Sequence, residues 1–519
     1  MSSPEYEHLH ARSVALLSQA RQRGVRFWLD EGQLRYSGPS GSLSREEISQ
    51  LRDFRSQIIA LLEAADGSSD PNDYTTPLVP VCAPLAFSQL AHWNVHQLHN
   101  LPFRRGTASV TRLRGRLNIE ALQQSLDALV SRHDALRVQI VVADSAPLQR
   151  ISASSRYELQ VISVANVSTQ SRHLEIKRRI DEVILEPFDV TRDRLMAVRL
   201  LRLSDVEHIL IIAMEHIISD AASLSILLRD LLCAYVHLLS GREWSRPGKV
   251  HSFADYTRWQ QSSLPTWLDL HGQYWNERLI AAERLRFPPD SAADPDSTGW
   301  GRVTFQIESI VKDALRAWCR QQRTTVVLSV FTAYAAAVFR WCDVSSCIIQ
   351  YVWDGRPSIH ENTIGYFAST LYLPMSLTAT HTFLDLLNEV MREYCIAHEH
   401  ADFSYIDAQS PRPEVAHTTS FNWIPHNGAA VDFSELDGSN LALKCEPVHW
   451  EVPTLRYIAR DNEPMIEFND IGAEIVCHVS FPNNRFSTTT MARFGHHLML
   501  LIRALLEDPN RPIRDIALV

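Results

Sequence analysis

From Ala83 onward the chain alternates between apolar residues at helical spacing and short, densely apolar runs, a pattern that restricts it to a layered α/β (α+β) fold. A helix is predicted over 119–132, where Leu122, Leu126, Leu129 and Val130 share one face. Two strands are predicted over 195–203 and 208–214 around a polar turn, followed by a helix over 223–239. Further on come a helix over 309–322, a strongly apolar helix running through Trp341, strands over 347–353 and 474–480, and a closing helix over 488–506. The helix and strand content is similar before and after about Trp259, which predicts two lobes of comparable size.

At 519 residues the chain exceeds one compact domain and suggests three to four units of ~150 residues. Its 45% hydrophobic and 21% charged residues can bury large cores, and a net charge of −10 argues against a general nucleic-acid binder. The N-terminal MSSPEYEHLHARS has no apolar stretch of signal-peptide type, and no uninterrupted apolar run reaches ~18 residues, so no membrane span is expected. Eight scattered cysteines (82, 233, 319, 342, 347, 395, 445 and 477) read as buried small apolar residues in a reducing cytoplasm. Neither a metal site nor a nucleotide cofactor is expected, because no clustered ligands and no glycine-rich phosphate loop occur.

Residues 1–65 read as a unit of their own. A helix over 6–22 closes at Gly24; Val25–Leu29 and Gln33–Tyr36 flank Asp30-Glu31-Gly32 as a hairpin; Ser44-Arg45-Glu46-Glu47 is a capping box opening a second helix. Residues 66–80, with Gly67-Ser68-Ser69-Asp70-Pro71, read as a linker. Arg21, Arg23, Arg26, Arg35, Arg45, Arg52 and Arg55 cluster on or beside the hairpin with Phe27, Trp28 and Tyr36. A hairpin edge can accept an added strand, and arginines beside it select an acidic peptide. A small core with solvated arginines is the alternative reading.

One segment carries the chemistry. Ile211-Ile212-Ala213-Met214 ends as Glu215-His216-Ile217-Ile218-Ser219-Asp220-Ala221 and enters a helix. A histidine at the end of a buried strand can present its imidazole at a cleft and act as a base near neutral pH, and Asp220 is suited to order the surrounding backbone through a buried salt bridge. The spacing alone also fits a structural histidine.

Around this segment the sequence resembles the condensation domains of nonribosomal peptide synthetases, members of the chloramphenicol-acetyltransferase-like superfamily, whose core motif is HHxxxDG. Pro84–Gln89 with Trp93 resembles the opening SxAQxRLW motif; Arg132-His133-Asp134-Ala135-Leu136-Arg137 resembles RHxxLR; Pro187-Phe188-Asp189, Phe253–Trp259, Ile364–Leu371 and Phe421-Asn422-Trp423 are similar to the later motifs, in the family's order. The N-terminal hairpin is similar to docking domains of the TubC type, which capture a short acidic peptide at the C-terminus of an upstream carrier-bearing subunit.

The resemblance implies two acetyltransferase-like lobes in a V-shaped pseudo-dimer, 81–260 and 261–519, with His216 catalytic at their junction. Asp220, Arg137 and Glu215 would support the site, Asp220 pairing with an arginine such as Arg137 and Glu215 raising the basicity of His216. Ala221, Ser223, Ser369 and Trp353 would line the carrier-arm or substrate tunnel, and Arg21, Arg23, Arg26, Phe27, Trp28 and Arg35 would bind the docking peptide. It also implies an acyl-loaded peptidyl or acyl carrier protein as partner, whose phosphopantetheine arm brings the thioester, and a small-molecule or carrier-bound acceptor. With one condensation-like unit and no adenylation or carrier segment, action in trans and a chain-release role forming an ester or amide are expected. Departures stand at Glu215 (usually His), Ala221 (usually Gly), Ser369 (Asn), Ala91 (Arg) and Pro374 (often Arg). Two alternatives stay open: a catalytically silent platform that recruits tailoring enzymes, and epimerisation.

Overall fold

A computed structural model describes residues 26–30, 33–37, 81–98, 105–143, 146–153, 156–192, 194–241, 250–280, 285–294, 299–401, 419–425, 443–448 and 463–518, with isolated positions between them. The chain divides into two compact units, Met1–Thr75 and Thr76–Val519. The first contains an antiparallel hairpin, β1 (Arg26–Asp30) and β2 (Gln33–Ser37), whose register runs from Arg26 opposite Ser37 to Asp30 opposite Gln33. Leu51, Arg55 and Ile59 are helical, with Leu51 buried and Arg55 exposed, as the capping box at Ser44 leads one to expect. The helix expected over 6–22, Arg21 and Arg23 lie outside the described residues, as do the side chains of Arg26, Phe27, Trp28 and Arg35.

In the second unit β3 (Val81–Pro84) and α1 (Phe87–Leu98) precede β4 (Arg105–Arg114), α2 (Ile119–Arg132), β5 (Val138–Ala143), β6 (Ala146–Ile151), β7 (Gln160–Ser163), α3 (Thr169–Leu185), β8 (Met196–Ser204), β9 (Glu207–Glu215) and α4 (Ala221–Leu239). A 28-residue helix, α5 (Phe253–Ile280), leads to β10 (Trp300–Ile307), α6 (Ser309–Gln322), α7 (Val326–Cys342), β11 (Ser346–Trp353), β12 (Ser369–Ser376), α8 (Phe383–Glu399), β13 (Thr419–Ile424), β14 (Lys444–Pro447), β15 (Met465–Asp470), β16 (Ile475–Pro482) and α9 (Thr488–Glu507).

The first core forms on the sheet β14-β4-β9-β8-β7, with β3-β6-β5 as a separate small sheet. β9 is its central strand, and every residue from His208 to Glu215 is buried, so the strand reads as a continuous apolar run instead of an alternating one. α3 and α4 pack on this sheet, and α2 packs on α4. At 19 residues α4 is long and apolar enough to cross a membrane, but half of it is buried inside the fold, where its Asp230 meets His133 at 3.3 Å. It is a core helix.

The second core forms on the six-stranded sheet β10-β16-β15-β13-β11-β12. α7 is buried without a break from Leu328 to Phe339 and is surrounded by α6, α8 and α9, which explains an apolar composition with no polar face.

The two cores are not consecutive pieces of chain. Phe253, Ala254 and Tyr256 belong to the first core while Trp267, Trp275 and Leu279 of the same α5 belong to the second, so the boundary expected at 260/261 falls inside one continuous helix. Ile364, Phe367 and Leu443 return to the first core, and β14 extends the first sheet by pairing with β4. The RHxxLR motif anchors this junction: Asp134 accepts hydrogen bonds from Ser252 Oγ at 2.6 Å and from the Phe253 and Ala254 amides at 3.3 Å, capping α5. One expectation about the cysteines is corrected. Cys82, on the edge strand β3, and Cys395, on the outer face of α8, are exposed.

Candidate active site

β9 ends at Glu215, and one tight turn, His216–Ile218, reverses the chain into α4. Several polar groups of the turn are held. The Ser219 amide donates to the His216 carbonyl (3.1 Å) and the Ser219 hydroxyl to the Glu215 carbonyl (2.8 Å). Gln89 of the opening motif, fully buried on α1, donates to the Ile217 carbonyl (2.7 Å) and accepts from the Ala86 amide (2.8 Å). A buried amide satisfied on both ends fixes the turn and explains a glutamine at that motif position. Thr107 Oγ1 on β4 lies 2.9 Å from Ser219 Oγ.

The imidazole of His216 is aimed by one bond. Its Nδ1 lies 2.7 Å from the Ser219 carbonyl oxygen. A carbonyl only accepts, so Nδ1 carries the proton and, in the neutral ring, the lone pair sits on Nε2. The residue is partly exposed while its flanks, Glu215 and Ile217, are buried. The Tyr366 ring lies 4.3 Å away at 35°, and the His92 ring 5.8 Å away. Burial holds the imidazole below the ordinary histidine value and the His92 ring pushes the same way; Glu215 opposes them. The ring is therefore neutral at pH 7, the state in which Nε2 can accept a proton. On the side of β4, a side chain at Gly106 would bring a Cβ within 2.9 Å of His216 Cα, so the close approach needs a glycine there. The register of β4 against β9 shifts at this point, between Arg105 and Thr107.

Asp220 caps α4, and its partner is Arg356, not Arg137. Arg356 Nη2 donates to Oδ1 (2.7 Å) and Oδ2 (2.9 Å), with 4% and 3% of the two side chains exposed. Oδ1 also accepts from the Ser223 amide and hydroxyl (both 2.7 Å), and Oδ2 from the Phe367 and Ala368 amides (3.0 and 3.3 Å). One carboxylate thus ties the start of α4 to the 354–357 turn and the 365–368 segment. Arg137 is spent elsewhere, donating to the carbonyls of Val130 (3.0 Å) and Ser152 (2.5 Å). Distance along the chain concealed the true pair, which is separated by 136 residues. Ser223 is likewise corrected: fully buried, its hydroxyl accepts from the Gly365 amide (3.1 Å), so it braces the junction and does not line a tunnel. Ala221 is exposed at the first turn of α4, and Ser369 stands opposite Trp353 where β12 pairs with β11. Glu215 makes no hydrogen bond to the His216 ring; its carboxylate accepts from His92 Nε2 (3.0 Å) and the Ile217 amide.

Residues 81–519 match the Condensation domain family. The chain belongs to that family. Residues 14–63 match the TubC N-terminal docking domain. Among sequence relatives of this condensation domain, chondramide synthase cmdD of Chondromyces crocatus is 26% identical over 447 residues, 84% of this chain and 11% of the synthase. The chain thus spans about a tenth of the length of the curated relatives it matches. Among solved structures, the X-domain in its complex with OxyB from teicoplanin biosynthesis superposes with a TM-score of 0.69 at 21% identity, covering 87% of this chain and 99% of that one. SgcC5 from Streptomyces globisporus, in complex with 1-(2-naphthyl)-1,2-ethanediol and sucrose, gives 0.66 at 19% identity over 83% of this chain and all of that one. The fold is the mixed α/β architecture of the chloramphenicol-acetyltransferase-like kind, as the motifs imply.

Three residues of the condensation domain site escaped the sequence reading. Arg356 follows an Asp-Gly turn directly after β11, a position open to recognition as a loop at a strand end. Gly106 and His92 carry no local signal, since each matters only through what lies across from it.

Proposed function

We propose that this chain transfers an acyl group from the phosphopantetheine thioester of a carrier protein to a hydroxyl or amine, as a chain-release condensation. The tautomer of His216 carries the reading: a proton on Nδ1, bound to the Ser219 carbonyl at 2.7 Å, leaves Nε2 as the base on a partly exposed ring. Nε2 takes the proton of the attacking O–H or N–H as the new bond to the thioester carbon forms. The tetrahedral intermediate then expels the thiolate, which receives that proton back from Nε2–H. Atoms and charge balance without any further reactant, and positioned proton transfer of this kind contributes about 10²–10⁴-fold. An alcohol depends on such a base more than an amine does, and the diol bound by SgcC5 supports a hydroxyl-bearing acceptor. The match at 14–63 supports delivery of the carrier by an acidic peptide added to the β1–β2 hairpin.

The test supplies an acyl-loaded carrier with a panel of alcohols and amines and follows product by intact mass. His216→Ala should lower transfer at least ~100-fold. Turnover by that variant equal to wild type would sink the assignment. The X-domain complex with OxyB favours a second reading, a platform that binds a partner enzyme; a wild-type protein inert towards every acceptor but retaining such a partner would establish it.

A further inference from the structure

Two departures from the family pattern touch each other. The opening motif SxAQxRLW has leucine where this chain has His92, and the core motif HHxxxDG has histidine where it has Glu215. The structure places His92 Nε2 3.0 Å from Glu215 Oε1, although the residues are 123 positions apart. The Glu215 side chain is fully buried and that of His92 is 20% exposed. A carboxylate so enclosed is stable only with a partner, and the backbone amide of Ile217 supplies one hydrogen bond but no charge. His92 Nε2 is the side-chain group placed to answer it.

We propose that His92 and Glu215 form a positioning pair that jointly replaces the first histidine of the core motif and balances the charge behind His216. The pair sits beside the catalytic ring: His92 and His216 are 5.8 Å apart centroid to centroid, and Glu215 is the residue before His216. Among the described residues, titratable groups near it include His96 of α1, 4.5 Å from the His92 ring, and Tyr366 from the 365–368 segment, 6.1 Å from His92. Arg105 of β4 is the register partner of Glu215, and the Asp220–Arg356 pair follows at the start of α4. The two departures thus meet in one buried polar pair. The opposed influences of Glu215 and His92 on the His216 proton agree with this balance.

The inference rests on His216 being the base, so its test reads the ring itself as well as turnover. With 13Cε1-labelled histidine, the His216 resonance is assigned by its loss in His216→Ala and titrated by NMR. His92→Gln keeps a donor for Glu215 but removes the imidazole beside His216, and should raise the His216 midpoint by about 0.5 pH unit or more. Glu215→Gln should lower it, and the double variant should return towards wild type, because the pair is again neutral. Acyl-transfer profiles should move their acid limbs in the same directions. Identical midpoints in both single variants overturn the pair. Shifted midpoints in a protein that transfers no acyl group keep the pair and reject the acyltransferase reading. Should Glu215→Gln fail to fold, His92→Gln carries the test alone.

Discussion

Gly106 of β4 and His216 lie in direct backbone contact: a Cβ added to Gly106 would stand 2.9 Å from His216 Cα and as close to its Cγ. The strand can bring its chain so near only because it bulges there without a side chain. Gly106→Ala must therefore displace the imidazole. Misplacement of a reacting group by ~1 Å costs about 100-fold. Transfer from an acyl carrier should fall by that order while circular dichroism still reports the folded state; wild-type turnover would show that His216 does not depend on this contact.

The Asp220–Arg356 pair predicts a stability effect with a particular signature. Arg356→Met strands a carboxylate that is 3% exposed, and breaking such a buried pair from one side costs about 3–5 kcal/mol. Asp220→Asn added to Arg356→Met should recover part of that loss, which denaturant titration of the four proteins would measure. Strict additivity of the two single changes would refute the pairing.

Buried neutral histidines set the acid sensitivity of the fold. Burial lowers His133, and burial with the neighbouring His251 lowers His360 to about 3 from an ordinary value of 6.5. Below pH 6.5 the unfolded chain takes up a proton that the folded His360 ring refuses, so its contribution to stability is lost as pH drops from 6.5 towards 3. Each such ring contributes about 1.4 kcal/mol per pH unit within its window. His360→Gln should flatten the decline of the melting temperature between pH 6 and 4; an unchanged slope would reject a neutral His360.

For the hairpin, Arg26→Glu with Arg35→Glu should weaken binding of an acidic peptide from a carrier-bearing subunit at least ~10-fold, and the wild-type affinity should fall as salt rises. Calorimetry at two ionic strengths checks both. Affinity indifferent to charge reversal and to salt would remove electrostatics from the docking step.

Much of the architecture was legible in the sequence because it is written in local periodicity. The helices over 119–132 and 309–322 occur as predicted, and the strands over 195–203 and 208–214 form the β8–β9 hairpin within a residue or two. α5 was not legible beyond its first motif. It carries Pro265 within it, and its apolar face changes partner from one core to the other, which blurs any single period.

What the order of residues determined by itself was the succession of elements, the turn that presents His216, and the motif series that places the chain among condensation domains. Those are short-range properties, set by spacing along one strand or helix. The tertiary structure alone decided that Asp220 pairs with Arg356 instead of Arg137, that Gly106 makes room for the ring, and that His92 answers Glu215. Such contacts join residues more than a hundred positions apart, and nothing in local spacing encodes which distant side chain the fold will bring alongside.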